Sequence, residues 1–172
     1  MHHADYTSFG KVSKKEALRT LNDSYLALAE SQDNWVANLA NCSSLLWHCY
    51  REAIGVSINW SGFYVIDPAD SSKLILGPFM GKVACQTIQI GKGVCGAAAA
   101  RREVQLVPDV NQFPGHIACD GDTKSEIVVP IVQDGLVRGV LDIDCLSLKG
   151  FDETDRELLV ELCKNIAKTC KF

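Results

Sequence analysis

Three of the eight cysteines stand in polar, glycine-bearing contexts: Cys85 in GKVACQ, Cys95 in GKGVCG and Cys119 in GHIACDGD. The other five, Cys42, Cys49, Cys145, Cys163 and Cys170, fall on apolar stripes of predicted helices and strands. A thiol set among Gly, His and Asp is available for nucleophilic, redox or metal chemistry, whereas a thiol on a core stripe behaves as a small hydrophobe. Cys95 falls in the first turn of a predicted helix. Free N–H groups and the helix dipole there would favour a thiolate and pull its pKa below the usual ~8.5. Cys119 follows His116 by three residues and precedes Asp120 and Asp122. The two acids would raise its pKa; His116 and Lys124 would lower it. The sequence leaves that balance open.

Carboxylates form the second group. In VLDIDC, Asp142 and Asp144 alternate with Ile143 and Cys145, so one strand face is apolar and the other carries two acids. That acidic face is either solvated or a pocket for an ammonium group. Glu126 opens the preceding strand. A strict two-residue turn at Asp134-Gly135 would put Glu126 and Asp142 on opposite faces, so a shared pocket requires a bulge or a longer loop. Trp60 and Tyr64 share one face of INWSGFYVI and read either as core or as an aromatic wall for a methyl or thioether group. A metal site is not expected: there is no C-x2-4-C pair, and His116-x-x-Cys119 is a single weak match. Gly91 to Gly96 fits G-x-G-x-x-G, but without a flanking βαβ pattern it does not argue for a dinucleotide.

The elements that must position these groups are legible from periodicity. Ser13 and Glu16 form a capping-box signature, and Leu18, Leu21, Tyr25 and Leu28 follow at helical spacing over 13–30. A second helix is predicted over about 33–53, with Trp35, Leu39, Cys42, Leu46, Cys49 and Ala53 on one stripe. Strands are predicted over 57–67, 73–79, 87–90, 104–107, 125–133 and 136–145. A short helix spans 93–102, and Asp152 caps a last one ending near Cys170. The stretch 108–124 has little periodicity, and loops that long are usually functional. This order predicts an α+β domain with a largely antiparallel sheet. The chain has 172 residues, 47% hydrophobic and 22% charged, with a net charge of −4. That fits one domain and gives no support to a nucleic-acid surface. No apolar run could span a bilayer, and the N-terminus shows no signal-peptide core, so a reducing, cytoplasmic setting is expected, with free thiols rather than a disulfide framework.

The strings WSGFYV (60–65), LILGPFMGKVACQTI (74–88), GKGVCG (91–96), VPDVNQFPGHIACDGDTKSEIVVPI (107–131) and GVLDIDC (139–145) closely resemble the free methionine-(R)-sulfoxide reductases, which are stand-alone GAF-domain enzymes. The likeness covers about residues 33–170. The N-terminal HHAD and NWVANLANCSSLLWH resemble the eukaryotic-microbe branch. No departure from the motifs is visible, and the hairpin turn around Asp134-Gly135 is about one residue tighter than in some relatives.

The resemblance implies a GAF-like fold over 13–172, with terminal helices on one sheet face, a loop-built pocket on the other, and a flexible arm over 1–12. It implies thiol-dependent reduction of free methionine (R)-S-oxide through a sulfenic acid and an intramolecular disulfide. Thioredoxin would be the external reductant, with no bound cofactor or metal and with a homodimer as the assembly. By resemblance Cys119 attacks and Cys85 resolves, with Cys95 as alternative nucleophile, second resolver or pocket wall. Glu126 would supply the proton to the sulfoxide oxygen. Asp142 and Asp144 would hold the ammonium, with Asp109 completing that network, while Trp60 and Tyr64 would face the substrate methyl. Backbone N–H groups of 115–121 would suit the carboxylate. Two other classes compete: a non-catalytic GAF sensor for a small ligand, and a thiol redox switch without a small substrate. A sensor needs no trio of cysteines, and a switch needs no acidic pocket.

Overall fold

The computed structural model describes residues 12–117 and 119–172. The predicted arm over 1–12 therefore lies, except for Val12, outside the described residues. Helix α1 spans Lys14–Ala29 and opens on the predicted capping box, with the Glu16 N–H donating to Ser13 Oγ and the Ser13 N–H donating to Glu16 Oε2. Helix α2 spans Trp35–His48 and is capped by Asn34, whose Oδ1 accepts from the Val36 and Ala37 N–H groups. The predicted α-helix does not run on to Ala53. Its last turns widen into a π-helical segment, Cys49–Ile54, closed by Gly55 at φ +74°. The extra residue per turn rotates Tyr50 into the core beside Cys49, where its hydroxyl donates to Asp155 at 2.8 Å.

The sheet consists of β1 (Ile58–Asp67), β2 (Asp70–Gly81), β3 (Thr87–Gln89), β4 (Gln105–Val107), β5 (Ser125–Gln133) and β6 (Leu136–Cys145). Helix α3 (Gly93–Arg101) falls between β3 and β4, and α4 (Glu153–Thr169) closes the fold. The strand order is β3-β2-β1-β6-β5-β4, and every pairing is antiparallel. Strand β2 is longer than its apolar run predicts, because Asp70, Met80 and Gly81 pair with β1 in spite of weak strand propensity.

The two sheet faces differ. Phe63, Val65, Ile127, Val129, Leu141 and Ile143 pack against α1, α2 and α4, together with the buried thiols Cys42, Cys49, Cys145, Cys163 and Cys170. Each fully buried Leu, Ile or Phe contributes roughly 1.5–3 kcal/mol, so this face supplies the stability and leaves the other free to carry charge. On that second face Trp60, Tyr64, Val128 and Val140 meet Val94 and Ala98 of α3. Helix α3 lies close in because Gly96 has no side chain; a Cβ there would stand 2.5 Å from the Gln89 carbonyl oxygen.

The β5–β6 hairpin turns at Asp134 (φ +52°) and Gly135 (φ +75°), the left-handed pair of a tight two-residue turn. Val132 faces Val137, but Ile131 faces Gly139, so Arg138 is one residue extra on β6. This is the bulge that a shared acidic pocket requires. Beyond it Glu126 stands opposite Asp144 and Val128 opposite Asp142, which brings the three acids to one face. Among the described residues no helix is long and apolar enough to cross a membrane.

Candidate active site

The second sheet face, the N-terminal turn of α3 and two loops form a small chamber that opens to solvent. Trp60 and Tyr64 of β1, Cys95 of α3, Cys119 of the long loop, Glu126 of β5 and Asp142 and Asp144 of β6 all line it. Cys85 is half-buried and Cys119 exposed, and the two are joined by a disulfide. Asp109 is not brought to the chamber: its carboxylate accepts the Asn111 N–H at 3.0 Å and starts the 3-10 turn Val110–Gln112.

The chamber floor is acidic and buried. Glu126 and Asp142 are each 6% exposed. Burial pushes the Glu126 carboxyl well up, with Asp142 and Asp144 adding to the shift. Burial lifts Asp142 to about 7, against the Cys95 hydrogen bond that holds it down. Asp144 is raised by burial and then by Asp142. Among the described residues no Lys or Arg pairs with any of the three. The nearest basic group is His116, whose Nε2 lies 3.7 Å from Glu126 Oε2 and whose own pKa burial lowers. Two buried polar atoms of the lining have no partner: Asp142 Oδ1, an acceptor, and Trp60 Nε1, a donor. Such groups cost about 1–3 kcal/mol each when left unpaired, so the chamber is built for a polar guest.

Cys95 departs from its expectation as a ready thiolate. Its thiol donates to Asp142 Oδ2 at 3.3 Å, and burial followed by the Asp142 charge raises its pKa well above the usual value. Desolvation and adjacent carboxylates outweigh the helix terminus, whose effect is worth only ~0.3–1 kcal/mol at exposed sites. Cys95 Sγ, a Glu126 oxygen and an Asp142 oxygen all lie within 4.8 Å of one another.

Trp60 stacks on Tyr64 at 5.7 Å and on Phe79 at 5.3 Å between ring centroids, forming one chamber wall. At the mouth Lys82 Nζ reaches Asp120 at 3.3 Å and Asp122 at 3.1 Å, joining the two loops that carry the disulfide. Asn59 Nδ2 donates to Asp120 and to Thr123. Lys82 was not singled out from the sequence, yet a signal was present. GKVAC (81–85) and GHIAC (115–119) share one pattern, so Lys82 stands before Cys85 as His116 stands before Cys119.

Residues 40–169 match the GAF domain family. The free methionine-R-sulfoxide reductase of Saccharomyces cerevisiae is 57% identical over 173 residues, covering 99% of this chain and 96% of that protein. The enzyme of the same name from Escherichia coli is 42% identical, covering 92% of this chain and 93% of that one. The X-ray structure of free methionine-R-sulfoxide reductase from Neisseria meningitidis in complex with its substrate superposes with a TM-score of 0.86 at 40% identity, over 98% of this chain and 95% of that one. Fold, chamber and likeness over nearly the whole length agree, and the chain belongs to the free methionine-R-sulfoxide reductase family of GAF-domain proteins.

Proposed function

We propose that this chain reduces free methionine (R)-S-oxide to methionine, with Cys119 attacking, Cys85 resolving and thioredoxin restoring the dithiol. The observation that carries this reading is a Cys85–Cys119 disulfide beside a chamber whose floor holds Glu126, Asp142 and Asp144 without a cationic partner among the described residues.

The sulfoxide sulfur is a poor electrophile until its oxygen is protonated. Glu126 suits that step, because its raised pKa keeps a proton on the carboxyl near neutrality. Cys119 Sγ bonds to the sulfoxide sulfur while the oxygen takes that proton. Methionine then departs and leaves a sulfenic acid on Cys119. The Cys85 thiol displaces the hydroxyl, water leaves, and the disulfide forms. The two electrons gained by the sulfoxide are those the two thiols lose. Thioredoxin returns them by thiol–disulfide exchange at the exposed Cys119 sulfur. Cys95, protonated on Asp142, serves as chamber wall.

Asp142 and Asp144 receive the α-ammonium, and Trp60 and Tyr64 bound the methyl side. A peptide-linked methionine sulfoxide offers an amide in place of the ammonium, leaves the buried acids uncompensated and is rejected. The thioredoxin cycle suits a reducing compartment, the cytoplasm. The homodimer rests on the family likeness alone.

The test is NADPH consumption in the presence of thioredoxin and thioredoxin reductase, with each sulfoxide epimer of free methionine. Turnover is expected with the R epimer only. Cys119→Ser is expected to abolish it, and Cys85→Ser to release about one equivalent of methionine per chain without cycling. An inactive Cys95→Ser beside an active Cys119→Ser would move the attack to Cys95. Absence of turnover with either epimer would sink the reading.

A further inference from the structure

We propose that Cys95, Asp142 and Glu126 also form a binding site for a divalent, thiophilic cation such as Zn²⁺, which takes the place of the substrate ammonium and blocks turnover. The block rests on the function proposed above; the binding itself does not.

The three ligand atoms come from three separate elements, α3, β6 and β5, and all lie within 4.8 Å of one another. A zinc ion with ligands at ~2.0–2.3 Å places its donors about 3.3–4 Å apart, so this cluster needs only small side-chain adjustments. The donor set, one thiolate and two carboxylates, suits a borderline-soft divalent ion rather than Mg²⁺ or Ca²⁺, which prefer all-oxygen shells. Two independent features point to a cationic guest. Asp142 Oδ1 is buried without a hydrogen-bond partner on a side chain only 6% exposed. Among the described residues no Lys or Arg pairs with Asp142, Asp144 or Glu126; Glu126 hydrogen-bonds to Asp142 and has His116 at 3.7 Å. Asp144 stands opposite Glu126 beside the cluster, and His116 Nε2 lies 3.7 Å from Glu126 Oε2, outside the three-ligand group. On coordination the Cys95 thiol proton and the Glu126 carboxyl proton leave to solvent, and the metal–sulfur bond replaces the hydrogen bond to Asp142.

Competition with substrate follows from occupancy. One chamber floor cannot hold both a divalent ion and the α-ammonium. The Cys85–Cys119 disulfide does not occupy the cluster, so the site persists in the oxidised protein, where Cys95 is the one free thiol lining the chamber.

The experiment titrates the oxidised protein with Co²⁺ and follows the near-ultraviolet thiolate-to-cobalt charge-transfer band, with Zn²⁺ added afterwards as competitor. Saturable appearance of the band and its loss on adding Zn²⁺ are expected. Cys95→Ser is expected to abolish the band. Asp142→Asn is expected to weaken Co²⁺ binding at least about tenfold, the scale for loss of one ligand or its support. A protein without the band, or a band that persists in Cys95→Ser, would overturn the site. Free methionine (R)-S-oxide is expected to displace the Co²⁺ from the unmodified protein, which keeps the test independent of any variant's folding. A Cys95-dependent band that the sulfoxide leaves untouched would support the metal site while counting against the proposed substrate position.

Discussion

Asp142 is held between two states. Burial raises its pKa from 3.8 to about 7, and the Cys95 thiol opposes that rise. With the chamber empty the carboxyl has no cation to justify its charge. An arriving ammonium supplies one, and the carboxylate ionises to meet it. The KM for free methionine (R)-S-oxide is therefore expected to fall as pH rises through about 7. Asp142→Asn should flatten that dependence and raise KM by about tenfold or more, since a desolvated ion pair loses several kcal/mol when one partner is removed. Steady-state kinetics between roughly pH 6 and 8 read both effects. Stability moves the other way. A folded-state pKa above the unfolded one stabilises the native state below the unfolded value, and that contribution is lost as pH climbs through the folded value. Thermal melts of the substrate-free protein should thus show Asp142→Asn gaining on the unmodified chain as pH rises from about 4 to about 7, the window set by the shift of this one group. A constant difference across that window would refute the assignment. The residue scale is also where sequence reading was weakest. Asp109 looks like the other acids in the sequence, and the local turn through which its carboxylate accepts the Asn111 N–H was not read there. Cys95 looks like a helix-terminus thiolate, but burial is a property of the assembled face and is not written in GKGVCG.

Helix α3 shows how an element sets a distance. Its first turn presents Cys95 to Asp142 only because Gly96 lets the helix backbone rest on the loop after β3. A Cβ at that position would meet the Gln89 carbonyl oxygen at 2.5 Å and the Gly91 nitrogen at 3.1 Å, both backbone atoms that cannot swing aside. Gly96→Ala is expected to cost about 1–3 kcal/mol in stability, the range for overpacking. It should also raise KM, because the thiol and the carboxylates would no longer close on one guest. Denaturant unfolding with parallel kinetics checks this, and an unchanged midpoint would show that the loop yields freely. Most elements were legible because local signals mark them. The Ser13/Glu16 box, Asp152 at the start of α4, and Asp134-Gly135 between alternating strands each act within a few residues. The Arg138 bulge and the π-helical segment Cys49–Ile54 were not marked in this way. Both are single-residue adjustments made when one element meets another, and periodicity over a short window does not register them. The bulge matters most, since without it Glu126 would face the helical core instead of the chamber.

At the scale of the whole molecule the fold separates stability from chemistry. The helical face carries the large apolar core, while the loops that carry Cys85 and Cys119 are joined to each other by one covalent bond and by exposed ion pairs. The magnitudes decide which of these holds the loops together. An exposed pair such as Lys82 with Asp122 is worth about 0–1 kcal/mol. The disulfide closes a sequence separation of 34 residues, for which chain entropy gives up to about 4 kcal/mol, with about 2–4 typical of measured cases. Reduction is therefore expected to lower the unfolding free energy by about 2–4 kcal/mol, out of the roughly 5–15 kcal/mol of an ordinary domain, and to leave the protein folded. The proposed cycle requires this, because it begins from the dithiol. Urea unfolding of the oxidised and reduced forms reads the difference, and Cys85→Ser should match the reduced form. Lys82→Ala in the oxidised protein should change the midpoint far less. Amide exchange locates the effect: faster exchange on reduction is expected in residues 82–86 and 119–123, with β5 and β6 unchanged. If the central strands lost protection as well, the disulfide would be part of the scaffold rather than a bond made and broken upon it. A reductase working through these two thiols would then have to soften its own sheet at every turnover.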